Sequence, residues 1–242
     1  MTTLSVVVPA KNEAENIGEL IAGIAESLAP VTDFEIIVID DGSTDGTRAA
    51  LLALAETETR LRVLAHDKSG GQSAAVHSGV LAAKGRLVCT LDGDGQNPPG
   101  ELPNLVAPLL AEDAPDDLAL VAGQRVGRQD TWSKKTASKL ANGLRGWLLK
   151  DGTRDTGCGL KAFRRDAFLR LPYFDHMHRY LPALFQRDGW RVAHVDVAHR
   201  ARQGGRSNYS NLQRGLVGAV DLLAVAWLIR RRKKARPEEI QP

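Results

Sequence analysis

Cysteine is scarce: only Cys89 and Cys158 occur in 242 residues. Cys89 sits in an apolar run and Cys158 in a glycine-flanked stretch, so neither a disulfide framework nor a metal-binding spacing is available. That usage suits a reducing, cytosolic protein. Long hydrophobic runs are also missing. No apolar stretch reaches the roughly 18–20 residues needed to span a bilayer, and the N-terminus runs straight into a strand pattern with no signal-peptide region before it. Excess charge is slight, because 32 Lys and Arg against 29 Asp and Glu leave a net charge of +3. Most of that excess lies in Arg230, Arg231, Arg232, Lys233, Lys234 and Arg236. The distribution argues against nucleic acid as a partner and for a local anionic one. What remains, 43% hydrophobic and 25% charged residues, is a globular composition, and the length suits one domain plus an appendage.

The first hundred residues alternate strand and helix patterns. Leu4 to Val8 reads as a strand ended by Pro9, and Glu13 to Leu28 carries Ile17, Leu20, Ile21 and Ile24 at helical spacing. Phe34 to Ile39 is a second strand closing on Asp40-Asp41-Gly42-Ser43, with Ser43 or Thr44 expected to cap a helix through about Glu56. A third strand, Leu61 to Ala65, leads through Ser69-Gly70-Gly71 into a helix ending near Ala83, and Leu87 to Leu91 is a fourth. Strand-helix alternation predicts an α/β fold with a mostly parallel sheet flanked by helices. Such sheets bind ligands beyond the carboxyl ends of their strands, and four polar clusters fall there.

The fourth strand ends in Asp92-Gly93-Asp94-Gly95. Alternation in an extended chain would aim Asp92 and Asp94 at one point. Two such carboxylates repel unless a cation lies between them, and oxygen ligands with a neighbouring amide, Gln96, suit Mg²⁺ or Mn²⁺. An ordinary Asp/Gly turn is the plain alternative.

Three blocks in order, SVVVPAKNEAENI, EIIVIDDGSTDGT and SGGQSAAVHSGVLAAKGRLVCTLDGDGQNPP, resemble the nucleotide-sugar-binding half of family-2 glycosyltransferases of the GT-A, Rossmann-like fold. Asp92, Asp94, Gln96, Pro98 and Pro99 follow the pattern of the branch containing dolichol-phosphate mannosyltransferase and polyprenyl-phosphate glycosyltransferases. The resemblance implies a catalytic domain over residues 1–210, with a nucleotide-sugar half (1–100) and an acceptor half (101–210). It assigns Pro9, Lys11, Glu13, Ile39, Asp41, Asp92 and Gly93 to the nucleotide-sugar site. It gives Asp92, Asp94 and Gln96 to the metal, with Asp94 and Gln96 the direct ligands. A capping turn is the alternative for Asp40 and Asp41, and a helix-start acid for Glu13.

In the second half, Leu102 to Leu110 reads as a helix and Leu118 to Gly123 as a strand delivering Arg125. Residues 132–150 read as an amphipathic helix with Leu140, Leu144, Trp147 and Leu148 on its apolar face and Lys134, Lys135, Lys139 and Arg145 on the other. The resemblance implies that Arg125, Lys134 and Ser138 grip an acceptor phosphate. It likens Arg154 to Arg165 to the segment closing the acceptor side, with Asp155 catalytic, as a base or by orienting the acceptor or its cationic neighbours. His176, His178 and Arg179 begin a helix reaching about Arg187, and the i,i+2 histidines do not make a metal pair. Arg191 to Val197 is a strand. The following His199 to Tyr209 resembles a loop that closes on the diphosphate, with Arg202 and Arg206 supplying charge. Residues 211–242 read as an amphipathic helix and basic tail expected to lie on an anionic membrane surface, with a terminal helix packed on its own domain as the alternative.

The expected reaction is inverting, metal-dependent transfer of a sugar from a UDP- or GDP-sugar to a polyprenyl phosphate at the cytoplasmic membrane face, by an enzyme that oligomerises or acts alone. Two rivals remain: the same chemistry on a saccharide hydroxyl, and a nucleotide-binding adaptor without turnover.

Overall fold

The computed structural model describes residues 2–126, 143, 145–198, 211–232 and 235. Seven strands occur among them: β1 (Leu4–Ala10), β2 (Phe34–Asp40), β3 (Leu61–Ala65), β4 (Leu87–Thr90), β5 (Leu118–Arg125), β6 (Lys161–Arg164) and β7 (Arg191–Val197). They form one sheet in the order β3-β2-β1-β4-β6-β5-β7. All pairings are parallel except those of β6, which runs antiparallel to both β4 and β5. The mostly parallel sheet was legible in the sequence; β6, inside the stretch Arg154 to Arg165, was not.

Helices cover both faces, and the alternation of each strand decides which helix it meets. On one side Leu4, Val6, Val8, Ile36 and Val38 pack with α1 (Ile17–Leu28) and α4 (Leu102–Leu110), while α2 (Thr47–Thr57) adds Leu51. Ile17, Leu20, Ile21, Ile24 and Leu28 of α1 are all buried, each contributing roughly 1.5–3 kcal/mol of burial. On the other side Val7, Ile37 and Ile39 meet α3 (Gly71–Ala82). That layer continues through Phe163 with Phe168 of α5 (Arg165–Phe168), Leu184 and Phe185 of α6 (Leu181–Arg187) and Val225 of α7 (Asn211–Arg230).

Three local expectations change. The start of α2 is fastened by Asp45, whose Oδ1 accepts from both the backbone N–H (3.0 Å) and the hydroxyl (2.5 Å) of Thr47; Ser43 and Thr44 instead bond Asn12. The helix expected from His176 to Arg187 is a 3₁₀ turn, Met177–Arg179, followed by α6, because His176 takes a left-handed φ of 65° and Pro182 opens a new helix. In the helical residues 145–149 Leu148 packs on the core as expected, but Trp147 and Arg145 exchange places. Trp147 is 72% exposed, whereas the Arg145 guanidinium is buried on Asp151, with Nη1 2.9 Å from Oδ1.

The last helix departs from the amphipathic expectation as well. Val225 and Ala226 are buried against the domain, yet Val220 and Leu223 (67% each) and Trp227 (60%) stay exposed on the other side. Apolar on both faces, α7 packs on its own domain and offers hydrophobic surface outward. Among the described residues no helix is long and apolar enough to cross a membrane.

Candidate active site

The antiparallel entry of β6 builds the site. Its first residue, Lys161, pairs with Thr90, the last residue of β4, so the segment before Lys161 arrives at the rim where β1, β2 and β4 end. Thr90 donates to the Gly159 carbonyl at 2.7 Å and fixes that approach. A cavity of about 130 Å³ opens here, walled by Pro9, Gln72, Asp92, Lys161, His178 and Arg179 with smaller neighbours.

Asp92 forms one wall. Gln72 Nε2 donates to its Oδ1 at 2.6 Å and Asn97 Nδ2 to its Oδ2 at 3.2 Å. The carboxylate lies flat on Gly159, where an added Cβ would meet Oδ2 at 2.2 Å, so only glycine leaves room. Burial first, and the Asp94 charge second, push the Asp92 carboxyl up to about 6 against the pull of Lys161, Arg125 and Asn97. Lys161 is buried beside it with its ammonium on the Cys158 carbonyl, and burial lowers its own pKa.

The two acids do not point together as alternation predicted. Strand β4 ends at Thr90 and the chain turns through Gly93 to Gly95, the last at φ 70°. Asp92 therefore lines the inner cavity, while Asp94 lines a separate hollow with Asn16, Glu19 and Pro99. Asp94 Oδ1 accepts only the Gln96 backbone N–H at 3.2 Å, and the Gln96 side-chain amide makes no hydrogen bond among the described residues. A carboxylate and an amide oxygen with lone pairs to spare fit a hard divalent cation completed by substrate phosphates. Among the described residues no cluster of three or more His, Cys, Asp or Glu side chains forms a self-sufficient cage.

Arg125, at the end of β5, is held by Asp155 in a two-point ion pair, Nε to Oδ2 at 2.6 Å and Nη2 to Oδ1 at 2.9 Å. The hydrogen bonds that Arg125 donates to Asp155 raise the Arg125 pKa further, so the guanidinium stays charged. The pair brings together two residues the sequence had separated by thirty positions, and makes Asp155 the group that aims Arg125.

The nucleotide-side residues divide. Pro9 lines the cavity, and Gly93 packs on it so closely that a Cβ would lie 2.9 Å from the Pro9 carbonyl. Lys11 reaches Ser69 Oγ at 2.9 Å, and Glu13 accepts from Asn16 at 2.9 Å, a helix-start contact. Ile39 is fully buried in the core layer under α3, so its side chain faces away from the rim. Asp41 is saturated: it accepts from His66 Nδ1 (2.7 Å), Ser69 Oγ (2.8 Å) and the Gly70 and Gly71 N–H groups (2.7 and 2.9 Å). Burial would raise its pKa, but these bonds outweigh it and hold Asp41 low. It shapes the loop entering α3. Lys134, Ser138, Arg202 and Arg206 lie outside the described residues.

Gln72, Asn97, Lys161, His178 and Arg179 complete the cavity wall or hold Asp92; the sequence placed Gln72 in a polar cluster at the strand ends and Lys161 in the acceptor-side segment, but gave none of the five a role of its own. Lys161 carried a signal, a lone cation inside the apolar run Leu160 to Phe163. His178 and Arg179 carried none, since more than eighty residues separate them from Asp92 and only the fold joins them.

A sheet rim that gathers an acid wall, metal-suited oxygens and a fixed guanidinium is the working face of a sugar-transferring enzyme. The model of glycosyl transferase family 2 matches residues 5–171, and the chain belongs to that family; it is a glycosyltransferase. The dodecaprenyl-phosphate galacturonate synthase of Rhizobium johnstonii is 34% identical over 239 residues, covering 97% of this chain and 69% of that protein. The undecaprenyl-phosphate 4-deoxy-4-formamido-L-arabinose transferase of Proteus mirabilis is 35% identical over 212 residues, covering 87% of this chain and 64% of its own length. Among solved structures, glucosyl-3-phosphoglycerate synthase of Mycobacterium tuberculosis with Mn²⁺, UDP and phosphoglyceric acid shares the fold, with a TM-score of 0.71 at 23% identity over 97% of this chain and 80% of that one. The same protein with Mg²⁺ and UDP gives a TM-score of 0.70 at 22% identity, over 97% of this chain and 81% of that one. The expected GT-A architecture stands.

Proposed function

We propose that the protein transfers a sugar, with inversion, from a nucleotide diphosphate donor to a polyprenyl phosphate at the cytoplasmic membrane face. The observation that carries this reading is Arg125, a guanidinium locked by Asp155 at the rim, within electrostatic reach of Asp92. A fixed planar guanidinium suits a phosphate monoester. Two relatives that cover most of this chain are named for polyprenyl-phosphate acceptors.

A polyprenyl phosphate near neutral pH is already ionised, so it needs orientation more than a base. Its oxygen attacks the anomeric carbon as the bond from that carbon to the diphosphate breaks, and the bonding pair leaves with the nucleoside diphosphate. Arg125 holds the attacking phosphate, and the Asp92 wall, fixed by Gln72, Asn97 and Gly159, borders the sugar. Asp94 and Gln96 would hold a divalent ion, which when bound supplies charge stabilisation to the departing diphosphate.

The acceptor's membrane is met by α7. Leu223 and Trp227 share a shallow hollow with Arg230 and Arg231, and Val220 is exposed on the same helix. Apolar side chains edged by cations suit an anionic bilayer interface. Residues 1–210 as catalytic domain and 211–242 as membrane-associating segment belong to the same proposal.

The test is transfer of labelled sugar from UDP- and GDP-sugars into organic-extractable lipid, with short polyprenyl phosphates, Mg²⁺ or Mn²⁺, and Asp94→Ala as control. Metal-dependent label in the lipid, lost in Asp94→Ala, is expected. Label appearing only in a saccharide acceptor would overturn the reading.

A further inference from the structure

The cavity under Asp92 carries an unspent cation. Three of its lining residues are charged: Asp92, Lys161 and Arg179. Lys161, buried in the same wall as Asp92, offsets that carboxylate. Arg125 is balanced by Asp155. Arg179 is different: partly buried, it makes no side-chain hydrogen bond or ion pair among the described residues, yet it lines the cavity. An Arg guanidinium carries five donors in a fixed fork, and leaving them unused in a half-buried wall is costly unless a ligand takes them.

Its neighbour His178 adds a neutral polar ring. Ser73 Oγ accepts the His178 backbone N–H at 3.3 Å and shares a hydrogen bond with Nδ1 at 2.7 Å, which fixes the ring against α3. Burial first, with Lys161 and Arg179 adding to it, lowers the His178 pKa well below the usual imidazole value, so the ring is neutral. Among the described lining residues one positive charge is thus in surplus. A diphosphate would bring more charge than that, and at about 130 Å³ the space falls below the roughly 300–1,000 Å³ that houses drug-sized ligands. One sugar ring with one anionic substituent matches both the size and the charge. The rest of the wall mixes apolar Pro9, Val76 and Leu181 with the hydroxyls of Thr90 and Thr156, which suits a sugar ring carrying both C–H and O–H groups.

We infer that this cavity receives the donor's sugar and that Arg179, with His178 beside it, reads a carboxylate on that sugar, so that the donor is a nucleotide hexuronate and not a neutral nucleotide hexose. The inference rests on the donor-transfer reading above and narrows it to a substrate class.

Matched donors test it with the full chain: UDP-glucuronate against UDP-glucose, UDP-galacturonate against UDP-galactose, and GDP-mannuronate against GDP-mannose. Binding is measured by calorimetry with Mg²⁺ and transfer by lipid label, for the wild type, Arg179→Gln and Arg179→Lys, with a melting curve for each. Calorimetry stands apart from turnover, so an enzyme that binds a uronate but labels no lipid fails the acceptor reading and spares this one. The expected result is that one uronate binds roughly 10- to 100-fold more tightly than its neutral partner. Arg179→Gln abolishes that preference by weakening the uronate far more than its neutral partner, and Arg179→Lys keeps part of it. Equal or tighter binding of the neutral hexoses by the wild type overturns the inference, even if the variants fail to fold. Equal weakening of every donor in Arg179→Gln also overturns it, because it would place Arg179 on the diphosphate.

Discussion

Replacing Asp155 by Asn separates the two ways this residue can serve the reaction. Its carboxylate accepts two charge-assisted bonds from Arg125, at 2.6 and 2.9 Å, in a pair whose side chains are only 12–13% exposed. Asn keeps the shape but turns one acceptor into a donor facing the guanidinium. Hydrogen bonds to charged groups are worth about 1.5–3 kcal/mol each, and each 1.4 kcal/mol is tenfold. If Asp155 works by aiming Arg125 at the acceptor phosphate, the acceptor KM rises roughly 10- to 100-fold while kcat at saturation changes little. Arg125→Lys should then cost far less in the Asp155→Asn background than in the wild type, since the pair acts as one unit. The assay is initial-rate transfer to a short polyprenyl phosphate across acceptor concentration, with melting curves to confirm folding. A general base predicts otherwise: a fall in kcat of about 10²–10⁴ at every acceptor concentration, with KM unchanged. That outcome would refute the aiming role and favour a hydroxyl acceptor.

Gly159→Ala places a Cβ 2.2 Å from Asp92 Oδ2. The carboxylate must leave its seat between Gln72 and Asn97, and donor binding measured by calorimetry should weaken by about tenfold or more. Glu35 gives a pH signature. Burial would raise its pKa, but bonds from the Lys84 backbone, Arg62 and Ser5 outweigh that and hold it below the ordinary carboxylate value of 4.5. The unfolded chain therefore binds the proton first, and stability falls as pH drops below 4.5. Glu35→Gln should flatten that acid limb in chemical denaturation, and an unchanged slope would remove Glu35 as its source. For α7, Leu223→Ser with Trp227→Ser should lower sedimentation with phosphatidylglycerol vesicles, yet leave the melting temperature near the wild-type value because both side chains are 60% exposed or more. Undiminished binding would move the membrane contact elsewhere.

Most of the sheet was legible because β1, β2 and β5 are apolar runs of seven or eight residues bounded by turn signals. Strand β6 was not, since Lys-Ala-Phe-Arg offers four residues, two of them charged, and its burial comes from neighbours on both sides. Local pattern also misled at Trp147 and Arg145, where a buried partner, Asp151, captured the cation and the indole was left outside. At the site, Asp92, Asp94 and Arg125 stood out as acids and a cation at strand ends. What alternation could not reveal was that β4 ends at Thr90, before either acid, so the extended pattern does not reach them. The wall made by Gln72, Lys161 and Arg179 needed the topology, because no periodicity links residues that far apart.

The reversed strand also orders the birth of the molecule. During synthesis the first four strands can pair with one another, but one edge of β4 stays bare until β6 emerges more than seventy residues later, as the Cys89–Ala162 register shows. Strand β5 is made in between and has no partner until the same moment. An exposed pair of apolar edges is a template for wrong pairing, and long-range closure is slow. The nascent chain is therefore most vulnerable while residues 91–160 are being made, and the single event that relieves it, insertion of β6, also places Lys161 and Gly159 under Asp92. Sheet closure and assembly of the sugar cavity are one step, so a chain arrested before residue 164 is expected to be both aggregation-prone and unable to bind donor.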